Sequence, residues 1–320
     1  MIRVALISAV IATVTIVLIP LQWLSVALRL PTRRWIPTAY HRMICALLGV
    51  RIATVGTRHP GYPLLVLANH SSWLDIAVIT AVAPVVFVAK REVSTWPLFG
   101  SLARLQRTVF VDRTRRQTTG EVNAEIADRL TQGDPVVLFG EGTSSDGNRV
   151  LPFRSALIGA AGAVLDKAAH IDRVFIQPLS IAYTGVFGLP LGRRHRPEVS
   201  WYGGMDLLPH LGKIMRMGAL DVVVSWGEPV AYGRDTDRKM IAGILEMAVR
   251  RMTVTALRWP LAVGQPTGGS QRRGHSNPGQ KPVQGGAGGT GRNDGMSEAA
   301  ECRDTRPQPE WPRSTLVRRM

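Results

Sequence analysis

From Val4 to Leu28 the chain carries no charged residue, and only Ser8, Thr13, Thr15, Gln22 and Ser25 interrupt its apolar run. About 20 apolar residues suffice to cross a bilayer core, so residues 1–30 read as a membrane anchor. The anchor is either one helix or a hairpin broken at Pro20, since proline removes a helical hydrogen bond. Trp23 suits a membrane interface. A cleavable signal peptide is the competing reading, but the run is long for one and no small-residue cleavage site precedes Arg29. Arg29, Arg33, Arg34 and Arg42 follow the run, against Arg3 before it. The excess of positive charge on that side places the rest of the chain at the cytoplasmic face. A second apolar stretch, between Tyr40 and Val50, is expected to pack on the domain or the membrane.

Strand patterns then recur at Leu64–Leu67, Val85–Ala89, Thr108–Val111, Val136–Phe139, Val174–Gln177 and Val222–Ser225. Helical patterns fall between them. Val122, Ile126 and Leu130 repeat every four residues, and Ser155–Ala169 is rich in Ala, Leu and Gly. Asp237–Leu257 gathers Ile241, Ile244, Leu245 and Ala248 on one face. Strands alternating with helices predict an α/β domain over residues 31–259, with a mostly parallel sheet flanked by helices. Beyond it, residues 260–320 hold glycine, proline and arginine with almost no apolar periodicity, which predicts a disordered tail. Gly286, Gly288 and Gly291 there match a dinucleotide-binding spacing, but no strand precedes them and no helix follows, so the match is fortuitous.

Charge narrows the partners. A net charge of +16 over 320 residues suits nucleic acid, an anionic membrane or an acidic protein. A nucleic-acid binder is disfavoured, because aromatic residues are not interleaved with the basic ones and no nucleic-acid module is recognisable. Cys45 and Cys302 are too far apart in kind and position to suggest a disulfide framework or a zinc site. The histidines other than His70 show no metal-ligand spacing.

The candidate chemistry is concentrated in LLVLANHSSWLD, Leu64 to Asp75. With Ser71 or Ser72 capping a helix, Asp75 lies about one turn beyond the strand end. Its carboxylate can then reach one imidazole nitrogen of His70 and leave the other for substrate, the arrangement a general base needs. On its own this is also what a strand-capping histidine beside a first-turn aspartate looks like. Three further clusters sit at strand ends, where α/β folds place their sites. TVFVDR ends in Arg113, able to hold a carboxylate or phosphate. LFGEGTSS sets Glu141 between Gly140 and Gly142, followed by Thr143, Ser144 and Ser145, a turn able to present amides and hydroxyls to an anion. VFIQPLS is a strand ending at Pro178.

Taken together and in this order, the four clusters resemble the motifs of the glycerolipid acyltransferase superfamily, the 1-acyl-glycerol-3-phosphate acyltransferases and their relatives. HSSWLD is similar to its H-x-x-x-x-D motif, TVFVDR to G-x-x-F-x-D-R, FGEGTSS to F-P-E-G-T-R-S and IQPLS to its final proline motif. The resemblance spans roughly Arg51 to Pro229. It implies that His70 is the general base for an acceptor hydroxyl and that Asp75 orients it. It also implies that Arg113, Glu141, Gly142, Thr143 and Ser144 bind the acceptor head group. The acyl group would come from acyl carrier protein or coenzyme A thioester, with no cofactor beyond that carrier, and the other partners are membrane lipids. Arg193, Arg194, His195 and Arg196 are one candidate docking patch for an acidic carrier, although a solvated loop has the same composition.

Three positions depart from the family pattern: Arg107 stands for a glycine, Gly140 for a proline and Ser144 for an arginine. Loss of that arginine argues against a phosphate head group. SSDGNRVLPFRSAL, ARLQRTVFVDR and YTGVFGLPLGRRHRP resemble the branch that acylates lyso-ornithine lipid, whose head group offers a carboxylate and an amine. Arg113 would pair with the carboxylate, and Glu141 or Asp146 with the amine. Lysophosphatidic acid remains the alternative acceptor. A membrane-bound serine hydrolase is the alternative enzyme, but no G-x-S-x-G elbow surrounds any serine.

Overall fold

A computed structural model of the chain describes residues 2–112, 119–168 and 170–259. Arg113 and the tail 260–320 lie outside the described residues. The described strands are β1 (Val50–Val55), β2 (Leu64–Ala68), β3 (Val86–Lys90), β4 (Val109–Val111), β5 (Val136–Phe139), β6 (Val174–Val186), β7 (Leu189–Pro190), β8 (Leu220–Trp226) and β9 (Val230–Tyr232). The helices are α1 (Ile2–Ala27), α2 (Thr32–Leu48), α3 (Leu74–Val82), α4 (Phe99–Leu105), α5 (Thr119–Thr131), α6 (Gly159–Lys167), α7 (Leu207–Met217) and α8 (Arg238–Arg258).

The strands form one sheet in the order β1-β8-β6-β2-β5-β3-β4, with β7 and β9 also paired to β6. Pairing is parallel from β6 through β2, β5 and β3 to β4, and again between β1 and β8. It is antiparallel where β6 meets β7, β8 and β9. Every residue of β2 is buried, as expected of a central strand covered on both faces. The two-residue period of the strand divides it: Leu64, Val66 and Ala68 enter a core with residues of α2 and α3, while Leu65 and Leu67 enter one with residues of α5, α6 and α8.

All six predicted strands are present, and the sequence reading missed β1, β7 and β9. The largest difference lies in β6, which does not stop at Pro178 but runs on to Val186. Its neighbour on one side changes at that point. Residues 174–176 pair with β9, and residues 179–186 pair with β8. Pro178 therefore stands at the junction between two partners, where its missing N–H costs least. Its carbonyl still accepts from the Gly227 N–H at 2.9 Å. Gln177 pins the same junction: its side chain donates to Thr57 O and Gly227 O and accepts from the His59 N–H.

Helix α1 is long and apolar enough to cross a membrane, and it continues through Pro20. The chain reverses after it, near Arg29, which adopts φ +53°. Polar residues of α1 turn toward the protein. Thr15 and Tyr40 share a hydroxyl hydrogen bond of 2.7 Å, and Ser25 and Thr32 one of 2.6 Å. Gln22 Nε2 donates to Arg33 O at 3.1 Å and Leu105 O at 2.9 Å. Ile2, Leu6, Ile16, Val17, Leu21, Trp23, Leu24 and Leu28 remain exposed. The helix is thus docked along one stripe while its other faces present an apolar surface suited to lipid.

Candidate active site

Strands β2 and β5 are adjacent and parallel, with Ala68 opposite Phe139, so the segments that leave them emerge at the same sheet edge. His70 follows β2 and Glu141 follows β5. The Glu141 carboxylate accepts the His70 backbone N–H at 3.0 Å, and the Ser145 N–H donates to His70 O at 2.9 Å. One motif therefore clamps the backbone of the other. The His70 ring stacks on Phe139, with centroids 3.9 Å apart and planes at 17°. Its Nδ1 lies 2.9 Å from Asp75 Oδ2, which leaves Nε2 as the nitrogen available to an incoming hydroxyl.

Asp75 is fully buried. Oδ2 accepts from the backbone N–H groups of Ser71 at 2.8 Å and Ser72 at 3.0 Å, besides His70, and Oδ1 accepts from Tyr183 Oη at 2.6 Å. These bonds offset the desolvation of a buried carboxylate. The predicted serine cap does not form: α3 starts at Leu74, and no side chain caps it. Ser72 Oγ instead donates to Val199 O at 3.0 Å, a bond to a segment over a hundred residues away. The carboxylate of Asp75 takes the two serine N–H groups in place of a cap. Within the same motif, Trp73 Nε1 donates to His210 Nδ1 of α7 at 2.9 Å. Burial lowers the pKa of His210, keeping that nitrogen free to accept.

Tyr183 is a site residue that sequence reading missed. It reaches Asp75 because β6 extends past the end of β2. Asn69 holds the two strands together there, donating to Ile181 O and accepting from the Ile181 N–H. Burial, and then the Asp75 charge, raise the pKa of Tyr183 well above 10, so its hydroxyl stays a donor.

Glu141 is turned inward and 3 % exposed. Burial pushes its pKa up to about 8, against the lowering effect of the His70 N–H. Gly142 adopts φ +69°, and a Cβ there would lie 2.9 Å from Arg154 Nε, so the Arg154 side chain packs directly over this turn. A cleft of about 310 Å³ opens here, lined by Lys90, Glu92, Gly142, Thr143 and Arg154. Lys90, Glu92 and Arg154 were not foreseen, because Lys90 ends β3, Glu92 lies in the helical turn just after it, and Arg154 belongs to a loop beyond the motif. Ser144 is half-buried and Thr143 exposed. Arg113 lies outside the described residues.

Two of the three family departures, Arg107 and Gly140, have local explanations. Arg107 has φ +64°, the left-handed conformation that favours glycine. Its guanidinium is held by Asp134 and by Gln132 Oε1, and Asp134 also receives Arg34 Nε at 2.6 Å. These contacts support an otherwise unfavourable backbone. At Gly140 a Cβ would stand 2.6 Å from the Phe153 ring, so that ring occupies the space a larger residue would need.

Comparison with known proteins agrees with this architecture. The acyltransferase family model matches residues 50–182. A lyso-ornithine lipid O-acyltransferase of Brucella abortus is 50 % identical over 256 residues, covering 80 % of this chain and 96 % of the relative. A second protein of that description, from Rhizobium meliloti, is 46 % identical over 80 % of this chain and 88 % of its own length. The crystal structure of a 1-acyl-sn-glycerophosphate acyltransferase from Thermotoga maritima shares the fold, with a TM-score of 0.55 and 21 % identity over 81 % of this chain and 98 % of that one. The chain is an acyltransferase: it belongs to the glycerolipid acyltransferase superfamily and, within it, groups with the lyso-ornithine lipid O-acyltransferases.

Proposed function

We propose that this enzyme transfers a fatty acyl group from a thioester, carried by acyl carrier protein or coenzyme A, to the hydroxyl of a lysolipid, with lyso-ornithine lipid as the acceptor. His70 Nε2 takes the proton of the acceptor hydroxyl as its oxygen attacks the thioester carbonyl. Asp75 stabilises the resulting imidazolium, and collapse of the tetrahedral intermediate expels the carrier thiolate, which takes the proton from His70. The observation that carries this reading is the His70–Asp75 pair at 2.9 Å, with Asp75 buried and fully engaged.

Two features support the choice of acceptor. The relatives with the highest identity given above are described as lyso-ornithine lipid O-acyltransferases. The cleft at the Gly142–Thr143 turn combines the cations Lys90 and Arg154 with the acid Glu92, a charge pattern suited to a head group bearing a carboxylate and an ammonium. In this reading Arg154 supplies the guanidinium that Ser144 lacks. The apolar surface of α1 holds the enzyme at the cytoplasmic face of the membrane.

The test offers lyso-ornithine lipid and lysophosphatidic acid in parallel, with labelled acyl thioester, to membranes carrying the wild type or His70→Ala. Ornithine lipid formed by the wild type and lost in the variant is the expected result. Phosphatidic acid as the main product would overturn the acceptor assignment and keep the mechanism. Released fatty acid without either lipid product would replace transfer by hydrolysis.

A further inference from the structure

The loop after β7 carries Arg193, Arg194, His195 and Arg196. It is joined to the catalytic segment by direct bonds. Ser72 Oγ donates to Val199 O at 3.0 Å, and the Trp201 N–H donates to Ser71 O at 2.8 Å. Gly147 is wedged between the two segments: a Cβ added there would lie 3.9 Å from both Arg196 Cβ and Ser71 Cβ. The residues beside His70 thus also set the position of Arg196.

The charges on this loop are not balanced. Arg196 is half-buried, and its Nε is shielded from solvent without a hydrogen-bond partner among the described residues. Among the described residues its one side-chain hydrogen bond is a long one, Nη1 to Asn148 Oδ1 at 3.4 Å. Burial, and then the neighbouring charge of Arg193, lower the pKa of Arg196; a guanidinium nevertheless stays charged in water. The nearby acids are engaged elsewhere. Asp146 accepts from Asn148 N and Nδ2 at 3.0 and 3.2 Å, and Glu198 pairs with His195 at 2.7 Å and Lys213 at 3.3 Å. Arg193 is exposed and has no ion pair among the described residues. Two neighbouring like charges, one of them partly desolvated and under-bonded, are the kind of pair that an external anion would stabilise.

We propose that Arg193 and Arg196 bind the phosphate of the phosphopantetheine arm that carries the acyl thioester. This rests on the reading that the donor is a thioester. The arm is common to acyl carrier protein and coenzyme A, and its phosphate is joined covalently to the sulfur that must come to His70. The ornithine head group has no phosphate, and its proposed cleft is lined by other residues.

The test compares acyl-phosphopantetheine with acyl-pantetheine, which lacks the phosphate, as donors to the purified full chain with lyso-ornithine lipid in vesicles. The ratio of the two kcat/KM values is measured for the wild type, Arg193→Gln and Arg196→Gln. The wild type is expected to prefer the phosphorylated donor, and each variant to lose about tenfold of that preference, the effect of one charge-assisted hydrogen bond. An unchanged ratio would overturn the proposal. So would loss of vesicle association on phosphatidylglycerol flotation, which would assign the pair to the membrane. Parallel runs with the carrier-protein and coenzyme A thioesters identify the natural source as the donor more sensitive to the variants. If the wild type uses no thioester, the reaction assignment fails, and the site is judged by calorimetry with phosphopantetheine. Binding weakened about tenfold by Arg196→Gln then supports it, and absence of wild-type binding refutes it.

Discussion

Replacing Asp75 by Asn separates charge from geometry at the centre of the site. The amide oxygen can take the place of Oδ2, keeping the Ser71 and Ser72 N–H groups and the His70 Nδ1 proton as donors. The amide nitrogen then faces Tyr183 Oη, which can rotate its proton and accept. What is lost is the negative charge next to the imidazolium. Two unit charges about 4 Å apart interact by about 4 kcal/mol at an effective dielectric of about 20. At about 1.4 kcal/mol per decade, kcat is expected to fall about a thousandfold. The acceptor KM should change little, because Asp75 has no exposed surface. Initial rates with purified protein, saturating thioester and varied lysolipid measure both constants, and a thermal melt by circular dichroism checks the fold. A variant that melts like the wild type but keeps kcat within about tenfold of it would refute the role assigned to the charge.

Tyr183→Phe removes one donor from a buried carboxylate. Calorimetry should show a loss of about 1.5–3 kcal/mol in stability, with a smaller fall in kcat than for Asp75→Asn. Glu141 supplies a pH dependence of known sign. Its carboxyl has a native pKa of about 8 against an ordinary 4.5, so the native state holds a proton that the unfolded chain releases. Its contribution to stability is full below about pH 4.5 and declines as pH rises toward about 8. Urea unfolding across that range should show this decline in the wild type and not in Glu141→Gln; equal slopes would exclude Glu141 as its source. Gln22→Leu leaves Arg33 O and Leu105 O without their side-chain donor, at a cost of about 1–3 kcal/mol for each group left unpaired. Trypsin should cleave between α1 and α2 faster in this variant than in the wild type.

Much of the architecture could be read along the chain because its signals are local. An apolar strand that is buried on both faces, such as Leu64–Ala68, has a composition few other elements share. Asp75 reaches His70 across only five positions, so spacing alone suggested the pair. The hydrogen bond at 2.9 Å is the short-range geometry that the motif implied. The serine cap was also a local expectation, but it lost to a distant competitor, Val199 O.

What only the tertiary structure decided involves partners far apart in sequence. Pro178 reads locally as a strand end, yet the strand continues, because the change of neighbour from β9 to β8 falls at that residue. That continuation carries Tyr183 to Asp75, a contact 108 positions apart. The inward turn of Glu141 follows from the parallel pairing of β2 with β5. The polar residues of α1 looked like flaws in a membrane span, and proved to include its docking contacts to Tyr40, Arg33 and Leu105. Hydrophobic periodicity records which side of an element is buried, but not which element buries it. That choice belongs to the order of strands in the sheet, set by crossover connections whose energies are distributed over the whole core.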